Sequence, residues 1–470
     1  MQKVLSFFFL INAFLALPLQ AQDFTLKKGV ITDSIQVSKD ESFAIYLPKN
    51  FELNKNWPMV LVCDMQGRGK QAVSMFVNAA EEQGYVVVGS NAIHDSISIS
   101  NNVLIANRLL KSVDALISLE KARVYTAGFS SGGRFASLLP SFIKGFRGVI
   151  SLGATIPNYE LLSSKNVFHF IGVVGNEDFS YPDMLKARTT LKRLKFPNQL
   201  WVFNGGHQWP EPRYIEKALS AITLLAMSKG GTPKDTAFVK SGYQKDLNDL
   251  QDLIQAKDLV TAYDHMNEII STYQLHLSMD SLQAVRKSLH KDKEYRTQRR
   301  DENAALFKET LMRDEYQYNL LEDIGSLNYN NLGWWNYQVE ELKKYEKKPS
   351  PERKMGVRLL SYLNALLEDN IDIETAEDRV NDEVLSYLWM LKTITEPDNF
   401  EYYLKIISDS AKYEDFGTSL FYLEELLKRG YKDKAVLYDL DNTALLRITP
   451  EYNELISKYL KDARYEIIEE

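Results

Sequence analysis

Arg123-Val124-Tyr125-Thr126-Ala127-Gly128-Phe129-Ser130-Ser131-Gly132-Gly133-Arg134-Phe135-Ala136 opens with β-branched and aromatic residues and passes through Gly-Phe-Ser-Ser-Gly-Gly. It then leaves in a pattern able to start a helix. Between a strand and a helix, Gly-x-Ser-x-Gly denotes a nucleophile elbow. So tight a turn holds the serine at strained backbone angles, and the residues two before and two after it must lack bulk. Gly128 and Gly132 meet that demand. The helix that follows points its N-terminal amides and positive end toward the reacting centre. Ser130 is the predicted nucleophile.

On either side of this stretch, buried strands alternate with helices. The first strand-rich segment runs from about Phe24 to Phe51 and includes Ser42–Leu47. Trp57–Asp64 is a continuous apolar run, as expected of a strand covered on both faces. Helical spacing at Ala72, Met75, Phe76 and Ala79 stops at Gly84, and Tyr85–Gly89 is the next strand. A helix is expected over Val103–Leu119, strands over Gly148–Leu152, Phe168–Val174 and Gln199–Phe203, and a helix over Tyr214–Met227. Strands alternating with helices predict a doubly wound, mostly parallel α/β sheet.

Ser228-Lys229-Gly230-Gly231-Thr232-Pro233 breaks that pattern. The expected division is an α/β domain over 22–228, a linker over 229–236 and an all-α, helical-repeat-like domain over 237–470. Beyond the break every segment carries helical spacing, as in Leu359, Leu360, Leu363 and Leu366, or Leu385, Leu388 and Leu391. Asp258–Tyr263 opens one such helix, and Leu420–Arg429 is another, stopped by Gly430. Without a strict period, stacked helical hairpins describe this half best. Trp334-Trp335 reads as a packing anchor.

A serine hydroxyl needs a base to take its proton. In an open α/β sheet the base and its orienting acid come from loops at the C-terminal ends of later strands, in the order serine, carboxylate, histidine. The strand ending at Val174 is followed by Gly175-Asn176-Glu177-Asp178-Phe179, and the strand ending at Phe203 by Asn204-Gly205-Gly206-His207-Gln208-Trp209-Pro210. His207 is the expected base. Asp178 is the expected acid by position, with Glu177 and Asp183 sharing its loop. His169 lies within a strand and reads as a satisfied core histidine; His94 follows a strand and either lines the pocket or is a solvated loop residue. One oxyanion donor should be the Ser131 amide, and the other the Arg68 amide, or that of Gln66 or Met65, in the turn after Val60–Cys63.

Length and composition narrow the rest. At 470 residues the chain needs more than one core. A net charge of −7 gives no reason to expect nucleic acid or an anionic membrane. The single cysteine, Cys63, lies in an apolar run and reads as a core residue. The six scattered histidines lack metal-ligand spacing, so no metal is expected, and a serine nucleophile with its base needs no cofactor. Lys3, the apolar Val4–Leu19 and the small Ala21 read as a secretory signal peptide over 1–21. The mature chain would begin near Gln22, exported to the periplasm or outside the cell, with no membrane span after cleavage.

Arg123-Val124-Tyr125, Gly128–Gly133, Gly175–Asp178 and Gly205–Pro210 resemble the poly(3-hydroxybutyrate) depolymerase and feruloyl esterase branch of the α/β-hydrolases, over about Phe43 to Met227. The resemblance implies a secreted serine esterase acting on polyester or on acyl groups carried by polysaccharide. It implies a triad of Ser130, Asp178 and His207, with Trp209 lining the acyl pocket. The chain departs from that pattern at the oxyanion turn, where Gln66-Gly67 stands in place of His-Gly; Gln66 and His94 are further candidates for the substrate site. From Leu420 through Tyr452 the tail is similar to the closing helices of tetratricopeptide-type arrays, which implies a surface for a protein partner or self-association. A serine peptidase of the same fold, and a binding protein on a hydrolase scaffold, are the competing expectations.

Overall fold

The computed structural model describes residues 26–377 and 379–461; the leader assigned to 1–21 lies outside them. Strands β1 (Ile31–Ser38), β2 (Glu41–Tyr46), β3 (Trp57–Cys63), β4 (Val86–Ser90), β5 (Leu119–Phe129), β6 (Gly148–Leu152), β7 (His169–Gly175) and β8 (Asn198–Phe203) form one sheet. Their order is β1-β2-β4-β3-β5-β6-β7-β8. The chain divides into two compact units: one runs to Val149 and takes in Glu160–Asn166, the other joins Ile150–Tyr159 to the chain from Val167 onward.

In the first unit, β1 pairs antiparallel with β2 and β2 antiparallel with β4, whereas β3 lies parallel to both β4 and β5. Every residue of β3 and β4 is buried, which is why their sequences run apolar without alternation. Helices α1 (Gly69–Ser74) and α2 (Val77–Gln83) replace the one helix expected there, and Gly84 ends α2 at φ 69°. Helix α3 (Ile99–Leu116) begins before the expected Val103, because the Ser98 side chain accepts the Asn101 N–H and caps it. Helix α4 (Ser131–Phe142) leaves the elbow. Ile105, Leu109, Val113, Phe135 and Leu139 bring α3 and α4 into one core with Met59, Leu61 and Val88 of the sheet.

In the second unit, β7 lies parallel to β8, with α5 (Tyr181–Arg193) between them in sequence and α6 (Pro212–Ser228) after β8. Then follow α7 (Thr236–Gln255), α8 (Leu259–Tyr273), α9 (Asp280–Lys291), α10 (Lys293–Ser326), α11 (Leu332–Lys343) and α12 (Ser350–Ala376). Helices α13 (Asp382–Thr395), α14 (Phe400–Lys412), α15 (Phe416–Lys428), α16 (Lys434–Asp439), α17 (Ala444–Arg447) and α18 (Pro450–Leu460) complete the described chain. Trp335 is a packing anchor, buried with Tyr316, Leu359 and Leu363, and its Nε1–H donates to Asp323 at 2.8 Å.

The stretch expected to be a linker is the connection between α6 and α7, yet contacts cross it. Buried Lys217 of α6 pairs with Asp246 of α7, which also accepts the Tyr273 hydroxyl of α8 at 2.9 Å. Strand β8 is last in the sheet order, so its outer backbone groups need partners from elsewhere. Helix α8 supplies them. His265 Nε2–H donates to the Val202 carbonyl at 2.8 Å, and the Glu268 carboxyl group accepts the Leu200 N–H. Gln199 Nε2 donates to Thr272 Oγ1 at 2.6 Å, and the His265 ring meets Trp201 edge-on at 5.3 Å. No helix among the described residues is long and apolar enough to cross a membrane.

Candidate active site

Strand β5 ends at Phe129 and α4 begins at Ser131, so Ser130 alone makes the turn. It does so at φ 53° and ψ −124°, a combination that costs a non-glycine residue on the order of 1–3 kcal/mol. A Cβ on Gly128 would lie 2.3 Å from the Gly132 carbonyl oxygen, and one on Gly132 would lie 2.2 Å from that of Cys63. Both positions are closed to any side chain, as the pentapeptide requires. The Ser131 amide belongs to the first turn of α4, where N–H groups have no intrahelical acceptor. Burial pushes the Cys63 thiol up to about 12, which leaves it protonated and unreactive beside the elbow.

The turn after β3 is organised by Asp64. This buried carboxylate accepts the Gln66 N–H at 2.8 Å and the Arg68 guanidinium at 3.0 Å. The Gly67 N–H donates to the Asp64 carbonyl at 3.3 Å. The Gln66 amide is therefore engaged, which removes it as an oxyanion donor in this conformation. Gln66 also forms an isolated antiparallel bridge with His94, so these two candidates share one corner. His94 Nδ1 sits 2.8 Å from Ser96 Oγ, and the side chain is 44% exposed.

In the second unit the loops after β7 and β8 are bound to each other. The Asn176 N–H donates to the Phe203 carbonyl at 2.8 Å and the Glu177 N–H to that of Gly205 at 2.9 Å. A Cβ on Gly175 would fall 2.1 Å from the Gly205 oxygen, so glycine permits the crossing. Across it, His207 Nδ1 stands 3.0 Å from both oxygens of Asp178. The Asp178 carboxylate is fully buried and also accepts the Ser180 N–H at 2.7 Å. A carboxylate on Nδ1 fixes the tautomer, leaves Nε2 as the basic nitrogen and stabilises an imidazolium.

Asp178 is the acid that meets the imidazole, and Asp183, expected in the same loop, lies instead in the first turn of α5. Glu177 pairs with Arg353 at 2.6 Å and Asp183 with Arg313 at 3.2 Å. Trp209 is half-buried two residues past His207. The Phe179 ring packs 4.4 Å from that of His207, a neighbour the sequence pattern did not single out. His169 is buried in β7 as expected, but its Nδ1 has no hydrogen-bond partner. Burial, reinforced by Lys229, pushes its pKa down to about 4, so the ring is neutral.

No protein-family model and no curated protein matches the chain. Among solved structures it is similar to the substrate-bound fluorophosphonate-binding serine hydrolase F of Staphylococcus aureus, at 16% identity and TM-score 0.34, over 41% of this chain and 96% of that one. S-formylglutathione hydrolase of the same organism matches at 15% identity and TM-score 0.33, over 43% and 98% of the two chains. The feruloyl esterase module of Clostridium thermocellum matches at 16% identity and TM-score 0.34, over 40% and 86%. The strand order, with its antiparallel β2 and its serine elbow after β5, makes the sheet-bearing part of this chain an α/β-hydrolase fold.

Proposed function

We propose that the protein is an exported serine hydrolase, a carboxylic-ester hydrolase that works through an acyl-enzyme. The observation carrying this reading is Ser130 itself, held at positive φ between two glycines that admit no side chain. Backbone strain of this kind is retained where function demands it. The Asp178–His207 pair, with both carboxylate oxygens 3.0 Å from Nδ1, supplies an oriented base.

In the proposed cycle, Ser130 Oγ attacks the ester carbonyl carbon while His207 Nε2 takes the hydroxyl proton. The carbonyl π electrons move to oxygen, which the Ser131 amide and the Arg68 amide hold as the oxyanion. Collapse breaks the bond to the alkoxy group, which leaves as an alcohol with the proton from Nε2. Water, deprotonated by the same nitrogen, then attacks the acyl-enzyme, releasing the acid and restoring the serine. No cofactor enters. Trp209, Gln66 and His94 are assigned to the substrate side, and the substrate is a small acyl ester, free or polymer-linked. A peptidase would use the same groups on an amide.

A second reading, a binding protein on this scaffold, draws on one observation. Phe307, Leu311, Tyr318 and Leu321 form an exposed apolar row along α10, the kind of surface that serves a protein partner or self-association. A fluorophosphonate probe separates the two. We expect covalent labelling of the wild type, absent in Ser130→Ala, and turnover of short-chain nitrophenyl esters reduced at least about 1,000-fold in that variant. An unlabelled wild type without turnover would leave the binding reading standing.

A further inference from the structure

The carbonyls on either side of the Asp178 loop are held by the helical half of the chain. Arg358 of α12 donates through Nη1 to the Asn176 carbonyl at 2.7 Å. Arg313 of α10 donates through Nη2 to the Phe179 carbonyl at 2.5 Å. One carboxylate joins the two guanidiniums: Glu309 accepts Arg313 at 2.8 Å on Oε1, and Arg358 at 2.7 and 2.9 Å on Oε2. Glu309 is 0%, Arg358 3% and Arg313 8% exposed. The cluster is thus out of water, where an unpaired charge is costly and a hydrogen-bonded one is held in place. The Arg358 guanidinium also lies 5.2 Å over the Tyr181 ring, and that of Arg313 lies 4.4 Å over Tyr362.

We infer that Arg358, Glu309 and Arg313 are positioning residues for the proposed reaction, holding the Asn176–Phe179 loop so that Asp178 keeps its hold on His207. The inference rests on the serine-hydrolase reading and gives the helical half a part in it. The path is short at both ends. Asp178 lies one residue from the Phe179 carbonyl and two from that of Asn176, and the Phe179 ring itself touches His207. A loop shift of about 1 Å is enough to cost a catalytic constellation much of its rate. Guanidinium suits this task and ammonium does not, because each arginine must reach a carboxylate and a carbonyl from one planar fork.

Arg358→Lys and Arg313→Lys keep a cation beside Glu309 but break the fork. We expect both to fold, with unchanged far-ultraviolet dichroism. Their kcat on nitrophenyl esters should fall about 10- to 100-fold, the loss that a misplacement of about 1 Å can bring, with KM unchanged. In proton spectra, the low-field resonance of the His207–Asp178 hydrogen bond, identified by its loss in Asp178→Asn, should broaden or move. Folded variants with wild-type kcat and an unmoved resonance would overturn the inference. A moved resonance in a protein that hydrolyses no ester and takes up no fluorophosphonate would uphold the clamp and remove the hydrolase reading instead. Should neither lysine variant fold, Glu309→Gln is read by the same two measurements.

Discussion

At Ser130 the backbone and the chemistry ask for different residues. The elbow wants glycine, since φ 53° with ψ −124° is a region that side chains avoid; nucleophilic attack wants a hydroxyl. Ser130→Gly should therefore raise stability by about 1 kcal/mol, the relieved strain being partly offset by the greater chain entropy of glycine. The same change should abolish labelling by fluorophosphonate. Thermal unfolding followed beside the labelling assay checks both, and a variant no more stable than the wild type would show that the turn is unstrained. This tension was legible in the sequence because the steric demand of the turn is written in Gly128 and Gly132. Gly175 answers a similar demand, a Cβ there falling 2.1 Å from the Gly205 oxygen, but nothing in the sequence announces it. Sequence spacing cannot tell that a glycine ending one strand and a glycine thirty residues further on lie backbone against backbone.

Among the elements, β8 and α8 show what the pattern of apolar residues leaves out. The strand was readable from Gln199–Phe203 and the helix from its opening at Asp258–Tyr263, but not their contact, which rests on polar side chains that no apolar periodicity marks. Glu268 is the most consequential of them. Burial pushes its carboxyl up to about 8, outweighing the attraction of Arg188 at 3.7 Å; Asp264 adds to the rise, and the Leu200 N–H opposes it. The folded protein then keeps a proton that the unfolded chain loses near the ordinary value of 4.5. Its contribution is fully present below that value and is lost as pH rises toward 8, at about 1.4 kcal/mol per pH unit. Glu268→Gln retains an oxygen for the Leu200 N–H and removes the titration. Denaturant unfolding between pH 5 and 8 should show the wild type losing stability relative to this variant; parallel curves would mean that Glu268 is ionised in the fold.

The molecule as a whole is divided differently by composition and by packing. Composition changes at Gly230-Gly231, where glycine-poor helices take over. Packing, however, places β7, β8 and every helix after them in one unit. The sequence could mark the change in pattern but not the contacts crossing it, since those depend on isolated charges set into apolar helix faces. Arg358 is the instructive case: it adjoins Leu359 on the face shared with Met355 and Leu363, a cation where spacing calls for an apolar residue. A fragment ending at Ser228 would lack His265, Glu268 and Thr272 along β8, and Arg313 and Arg358 on the acid loop. It would also strand buried Lys217 without Asp246. Leaving one such charge unpaired costs roughly 3–5 kcal/mol, against a total stability of about 5–15 kcal/mol for a typical domain. The lost edge bonds add to that. Residues 22–228 expressed alone should therefore aggregate or lack near-ultraviolet dichroism, while the chain carrying its helices stays monodisperse in sedimentation. A soluble fragment with dispersed amide resonances and intact fluorophosphonate labelling would instead make the helices an appendage, and the packing of α8 on β8 dispensable.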